Sequence, residues 1–307
     1  MPVALITGAS TGIGRATALR LTKAGWTVLA GVRDTAAGER LLADAGAQGT
    51  SAGARPSAGG APGAGQSPDG SLLPLTLDVT DAEQIADAAA RVEGRTSQDG
   101  DPPRGGLDAL VNNAGIGVGG PLEMIALEDL RRQLEVNVLG QIAVTQAMLP
   151  ALRRARGRIV FVSSIGGRVA MAFTAPYAAS KHAVEAIGDA LRVELHSSNV
   201  QVALIEPGSV ATPIWDKGRA QAERVSVPPE LQKEYGHVPD AMDKVLKDTQ
   251  RRGIPPEQVA QTIERALTAR RMKARYVVGR DAKGMLLVRR LLPDLVFDRV
   301  ARRVLGV

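Results

Sequence analysis

Near the start of the chain stands Thr7-Gly-Ala-Ser-Thr-Gly-Ile-Gly14, and no other stretch constrains the fold as much. It carries three glycines in eight residues and follows an apolar run. Val3–Thr7 is short, rich in apolar residues and bounded by glycine, which predicts a buried strand. After Gly14, the residues Ala16, Leu19, Leu21 and Ala24 recur at roughly helical spacing, so a helix opens at or near Gly12. Gly25–Ala30 then reads as a second strand. A strand, glycine loop, helix and strand in this order set a helix N-terminus at the carboxyl edge of a parallel sheet. Free backbone N–H groups and the helix dipole favour a pyrophosphate there. The spacing Gly8-x-x-x-Gly12-x-Gly14 is not the G-x-G-x-x-G fingerprint, and a turn that merely needs small residues competes with it until the rest of the chain is read.

The alternation continues. Strands are predicted at Leu72–Leu77, Leu107–Asn112, Arg158–Ser163 and Val200–Glu206, with long helices over 127–153 and 176–197. Strands alternating with helices imply an α/β fold, a Rossmann-type doubly wound parallel sheet flanked by helices in a single domain. Residues 45–71 are almost wholly Gly, Ala, Ser and Pro and cannot bury enough apolar surface to offset their chain entropy. They are expected to be a disordered surface insertion, and 94–106 a smaller loop of the same kind. The catalytic domain is assigned to 1–285 and a basic amphipathic extension to 286–307.

Composition excludes several classes. The chain has no cysteine, which removes disulfide and thiolate chemistry and suits a reducing, cytoplasmic compartment. The first strand begins too early for a signal peptide to precede it, and no run approaches the ~18 apolar residues of a membrane span. No metal site is predicted. Net charge is +6, but from Glu264 onward twelve Lys/Arg oppose four Asp/Glu, so the rest of the chain is net acidic. Basicity confined to the tail does not mark a nucleic-acid binder.

Four further patches fall at strand ends. Leu77-Asp-Val79 ends the third, where Asp78 can reach toward a bound adenine. Val111-Asn-Asn-Ala-Gly115 ends the fourth, with small residues that admit a ribose, and Phe161-Val-Ser-Ser164 ends the fifth. Tyr177-Ala-Ala-Ser-Lys181 follows, and positions i and i+4 share a helix face. A phenol with an ordinary pKa of about 10 is a poor base near neutrality. A neighbouring ammonium favours the phenolate, so Tyr177 is expected to have a lowered pKa and to serve as proton donor and acceptor. Ser164 can hold a substrate oxygen against it.

In order and spacing, TGxxxGIG, Asp78-Val79, Asn113-Ala-Gly115, Asn137, Ser164, Tyr177-x-x-x-Lys181 and Pro207-Gly208 resemble the non-extended short-chain dehydrogenase/reductase family over about residues 1–212. The resemblance implies interconversion of alcohols and carbonyls with NAD(P)(H). It assigns Tyr177 as general acid/base, Ser164 as the residue orienting the substrate oxygen, and Lys181 to the nicotinamide ribose. Asn137 shapes a water-linked proton relay, unless it is only a polar residue tolerated in mid-helix. The implied cofactor contacts are Gly8, Ser10, Thr11, Gly12, Ile13, Gly14, Arg33, Asp78, Val79, Asn113, Ala114, Gly115, Tyr177, Lys181, Pro207, Gly208, Val210 and, at the carboxamide, Thr212. At the end of the second strand, where NAD-using members carry an acid, this chain has Val32 and then Arg33. An apolar residue forfeits the ribose hydroxyl and a guanidinium can pair with a 2′-phosphate, so NADP(H) is favoured over NAD(H). A register shift of one residue would instead bring Asp34 into the acidic slot.

Residues 213–255 are expected to form a lid, with scattered apolar side chains suited to a small lipophilic carbonyl or alcohol. "GVRD", "IEPGSVATP" and the extension resemble the steroid- and retinol-dehydrogenase-like branch. The competing functions are a catalytically silent NADP(H)-binding sensor or scaffold and an NAD-dependent sugar-nucleotide enzyme of the extended family. Intact Ser164, Tyr177 and Lys181 argue against the first, and TGxxxGIG with NNAG against the second. In the tail, Leu287, Leu291, Leu295, Val296, Val300 and Val304 can share an apolar stripe flanked by arginines, with Pro293 in the first turn of the last helix. The stripe could dock beside the lid or on a second copy in a homo-oligomer, which is the favoured reading. The alternative is peripheral contact with an anionic membrane surface.

Overall fold

In the computed structural model, which describes residues 1–47, 70–95, 106–214 and 227–305, the first strand is central. β1 (Val3–Ile6) pairs in parallel with β2 (Thr27–Val32) on one side and with β4 (Ala109–Asn112) on the other. β3 (Ser71–Thr76) flanks β2, while β5 (Arg158–Val162), β6 (Gln201–Pro207) and β7 (Arg275–Val278) extend beyond β4. The order β3-β2-β1-β4-β5-β6-β7 reverses direction between β1 and β4. That switch point opens a crevice at the carboxyl ends of the two strands.

Strand side chains alternate between two cores. Ala4, Ile6, Val28, Ala30, Val111, Val160 and Ile205 face α1 (Gly12–Lys23), α2 (Thr35–Ala47) and α8 (Pro256–Thr268). Leu5, Leu29, Leu110, Ile159, Phe161 and Leu204 face α3 (Ala82–Arg95), α5 (Gly140–Ala155) and α6 (Ala175–Glu194). Burial on both faces explains why these strands read as continuous apolar runs. α4 (Leu127–Leu134) and α5 form the helix predicted at 127–153, but a π-turn at Glu135–Leu139 joins them.

Several boundaries move. The strand-ending Leu77–Val79 patch lies just past β3, and β2 runs on to Val32. Most of the expected insertion, 48–69, lies outside the described residues. Its edges do not: Ala45 to Ala47 complete α2, and the Ser71 N–H donates to the Trp26 carbonyl at 3.1 Å as β3 begins. Likewise α3 runs through Gly94 to Arg95, and 96–105 lie outside the description. β7 was not predicted, because its four residues sit in a charged segment without clear alternation.

β7 is fastened by charge. Arg275 at its start places Nε 3.0 Å from both Glu185 Oε2 and Glu206 Oε1, and Nη2 2.6 Å from Asp189. Glu185 and Glu206 are buried, and Arg168 adds a second ion pair to Glu206 at 3.0 Å. The tail forms α9 (Arg280–Leu291) and α10 (Asp294–Leu305). Pro293 lies just before α10 rather than in its first turn, and its carbonyl accepts from the Val296 and Phe297 N–H groups. Phe297 buries itself, while Leu287, Leu291, Leu295, Val296 and Val300 stay exposed, so among the described residues the stripe is not covered by the lid. The side chain of Val304 lies outside the described ones. Among the described residues no helix is long and apolar enough to cross a membrane.

Replacing Arg275 by Met would leave the buried Glu185 without its ion-pair partner and Glu206 with Arg168 alone, and a buried pair that loses one partner costs about 3–5 kcal/mol. Urea unfolding should show that loss. Asp189→Ala, which removes a more exposed carboxylate, should cost less than about 1 kcal/mol.

Candidate active site

The crevice between β1 and β4 is laced together by Thr7 and Asn113. The buried Thr7 Oγ1 accepts from the Asn113 N–H at 2.9 Å and the Ala114 N–H at 3.0 Å. Asn113 Nδ2 in return donates to the carbonyls of Thr7 at 2.9 Å and Gly8 at 3.0 Å. Gly8 adopts φ +65°, a conformation costly for other residues. Gly14 does not face the cleft. A Cβ there would overlap the Gly8 carbonyl oxygen and come 2.5 Å from Asn113 Nδ2, so its hydrogen lets α1 approach the loop. Any contact of Gly14 with a cofactor would run through its backbone alone.

At the start of α1, Thr11 makes no side-chain cap, and no side chain among the described residues accepts from the first helical N–H groups. Those donors suit a pyrophosphate. Thr212 closes over the same loop, because a Cβ on Gly12 would lie 3.1 Å from its Cγ2. The cleft measures about 1390 Å³. Every candidate cofactor and catalytic residue lines it except Gly14 and Asn137.

Ser164, Tyr177 and Lys181 meet at its base. Ser164 Oγ accepts from the Gly166 N–H at 3.0 Å and shares a hydrogen bond with the Tyr177 phenol. Lys181, buried one turn beyond Tyr177, lies 5.8 Å from the tyrosine ring centroid and donates to the Val162 carbonyl at 2.8 Å. The electrostatics differ from the sequence expectation. Burial pushes the Tyr177 phenol up, with the Ser164 hydrogen bond opposing. Burial likewise pushes the Lys181 ammonium down to about 8, with Glu185 opposing. Desolvation dominates both shifts because protein has replaced the water around both groups.

Asn137 lies in the π-turn, fully buried behind the cleft. Its Oδ1 accepts from the Ile116 N–H at 2.8 Å, and its Nδ2 donates to the Ile116 carbonyl at 3.0 Å and to Ser180 Oγ at 3.1 Å. Its side chain thus clamps the chain beyond Gly115 and does not line the cleft. Gln133 and Gln141 extend that clamp to Val118 and Ala114, a role the sequence did not signal. At the end of β2 Val32 is buried and Arg33 lines the cleft. Asp34 instead caps α2, accepting from the Ala37 N–H at 2.7 Å, and does not line the cleft. Of the lid, 215–226 lie outside the described residues, and α7 (Val238–Arg252) brings Met242, Val245 and Leu246 to the cleft. His237 immediately precedes that helix and does not line the cleft.

A parallel sheet with a phosphate-ready helix at its switch point, and Ser, Tyr and Lys converging beside it, define a nucleotide-dependent oxidoreductase. Residues 2–57 and 62–223 match the family model described as short chain dehydrogenase, and the chain belongs to that family, in its retinol- and steroid-dehydrogenase-like branch. It is 38% identical over 200 residues to an NADPH-dependent 3-dehydrocapnine reductase of Ornithobacterium rhinotracheale, covering 64% of this chain and 69% of that one. It is 35% identical over 311 residues to retinol dehydrogenase 5 of Mus musculus, covering 98% and 87%. A short-chain dehydrogenase from Streptomyces avermitilis superimposes with a TM-score of 0.71 at 28% identity, covering 98% and 95%. The protein is therefore an NAD(P)-dependent dehydrogenase/reductase.

The low folded pKa of Lys181 has a consequence for stability. An unfolded lysine titrates near about 10.4. Between pH 8 and that value the unfolded chain holds a proton that the folded chain has released, so this group's contribution to stability rises with pH. The difference in Tm between Lys181→Met and the wild type should therefore be most favourable to the variant at pH 7 and shrink toward pH 10. Thermal unfolding followed by circular dichroism would reveal a constant difference if the lysine titrated normally.

Proposed function

We propose that the protein interconverts a hydrophobic ketone or aldehyde and its alcohol using NADP(H), with Tyr177 as general acid/base. The observation that carries this reading is the meeting of Ser164, Tyr177 and Lys181 at the base of one large cleft. The uncapped start of α1 and the small residues around it fit the nucleotide. Gly8, Ser10, Thr11, Gly12 and Ile13 would hold its phosphates, Asp78 and Val79 its adenine, and Asn113, Ala114 and Gly115 a ribose. Pro207, Gly208, Val210 and Thr212 would cover the nicotinamide.

Bound there, the nicotinamide supplies or accepts the hydride. Ser164 donates a hydrogen bond to the substrate oxygen and holds it against Tyr177. In reduction the phenol gives its proton to that oxygen, and in oxidation the tyrosinate takes the alcohol's proton. Lys181 binds the ribose hydroxyls and stabilises the tyrosinate as it forms. Asn137, by clamping Ile116, positions the wall that faces them.

Three facts support NADP(H). Val32 offers no acceptor for a ribose hydroxyl, Asp34 is engaged as a helix cap, and Arg33 brings a guanidinium to the cleft. A guanidinium pairs well with a 2′-phosphate. The far part of the cleft is apolar, with Ile116, Val118, Met171, Phe173, Met242 and Leu246, and suits a lipophilic substrate.

Tyr177→Phe should bind NADPH nearly as the wild type does and lose turnover by a factor of about 10²–10⁴ in a ketone-reduction assay followed by nicotinamide absorbance. Near-normal turnover would refute the mechanism. Val32→Asp with Arg33→Ala should shift the ratio of NADPH to NADH efficiency on the order of tenfold toward NADH, or about 1.4 kcal/mol. A wild type that already prefers NADH would overturn the assignment.

A further inference from the structure

The segment that covers the nicotinamide end is itself held from outside the region matched to the family. The family match ends at residue 223, whereas Asp281 lies in the first turn of α9. The Ser209 N–H donates to Asp281 Oδ2 at 2.7 Å. The Gly208 N–H donates to the Val278 carbonyl at 2.9 Å, and the Ser209 carbonyl accepts from the Ile254 N–H at 2.9 Å. Val210 bridges Ile254, and the Ala211 N–H returns to the Ile254 carbonyl at 3.0 Å. Both backbone polar groups of Ser209 are thus engaged, one by the end of the lid and the other by a carboxylate of the tail.

The fit around that carboxylate is tight. A Cβ on Gly208 would lie 2.5 Å from Asp281 Oδ1, and one on Gly279 would overlap the same oxygen. Gly279 also has φ +108°, a conformation that L side chains rarely adopt. Two glycines therefore make room for one carboxylate, and the carboxylate reaches the loop only because both lack a side chain. One helical turn beyond Asp281, on the same face, Met285 lines the cleft. Further along the pinned loop, Thr212 rests over Gly12.

We propose that Asp281 is a positioning residue for the cofactor-covering loop 207–212. Through it the C-terminal segment, and not the matched core alone, holds the nicotinamide end of the site closed. The inference rests on the cofactor reading above. Asp281 is itself exposed, so its removal takes little from the core. Its effect falls on the order of the loop, which must otherwise be restricted when the nucleotide binds.

The full-length wild type, Asp281→Ala and Asp281→Asn would be compared in NADPH binding by fluorescence, in Tm, and in amide exchange of the peptide containing Ser209 without nucleotide. Asp281→Ala should raise the Kd for NADPH about fivefold or more and speed exchange around Ser209, with Tm changed by only a few degrees. Asp281→Asn keeps an acceptor oxygen and should restore most of the affinity and protection. Unchanged exchange in Asp281→Ala overturns the proposal, whether or not NADPH binds. So does a Kd loss that Asn fails to rescue, or one that merely tracks a large fall in Tm. A wild type that binds neither NADPH nor NADH would instead refute the cofactor reading, and the exchange comparison would still decide the role of Asp281.

Discussion

The contact between Gly14 and the Gly8 carbonyl governs the architecture around it. Because position 14 has no side chain, α1 packs directly on the loop that leaves β1, with Asn113 of β4's exit wedged beside it. The hydrogen bonds of Thr7 and Asn113 then tie the ends of the two strands that flank the switch point. A larger residue at position 14 would separate helix, loop and strand together. The uncapped helix start and the walls of the cleft depend on that one close approach.

Around this frame the protein maintains charge where water is scarce. Lys181 keeps an ammonium in a buried setting, and desolvation leaves it only weakly held as a cation. Glu185 stands one turn further along α6, which helps the lysine and links it to Glu206, Arg168 and Arg275. That ionic group therefore runs from α6 to the last strand. It joins the base of the cleft to β7, and β7 in turn leads into the helix that carries Asp281 and Met285. The tail is thereby tied to the site from two directions.

Much of the active centre was legible in the order of residues. The glycine loop, the small residues after β4 and the Tyr-x-x-x-Lys spacing are local patterns whose geometry follows from strand ends and helix periodicity. Where local patterns are weak, the reading moved. The π-turn at 135–139 left no clear mark in hydrophobic spacing, and the side-chain partners of Asn137 at Ile116 and Ser180 are distant in the chain. Gly14 stood out as part of the motif, but its close packing on the Gly8 carbonyl is something that spacing alone does not carry.

The sequence by itself determined the α/β class, the parallel strand order's central unit and the identity of the three residues at the base of the cleft, because each depends on neighbours a few positions apart. Tertiary structure decided the rest. It set the balance of pKa shifts at Tyr177 and Lys181, since desolvation depends on what packs around a group and not on which residue is adjacent. It assigned Asp34 to a helix cap and left Arg33 at the cleft, a choice made by the end of β2. And it brought Arg275 and Asp281 to the site from the far end of the chain, where only the addition of β7 to the sheet could place them.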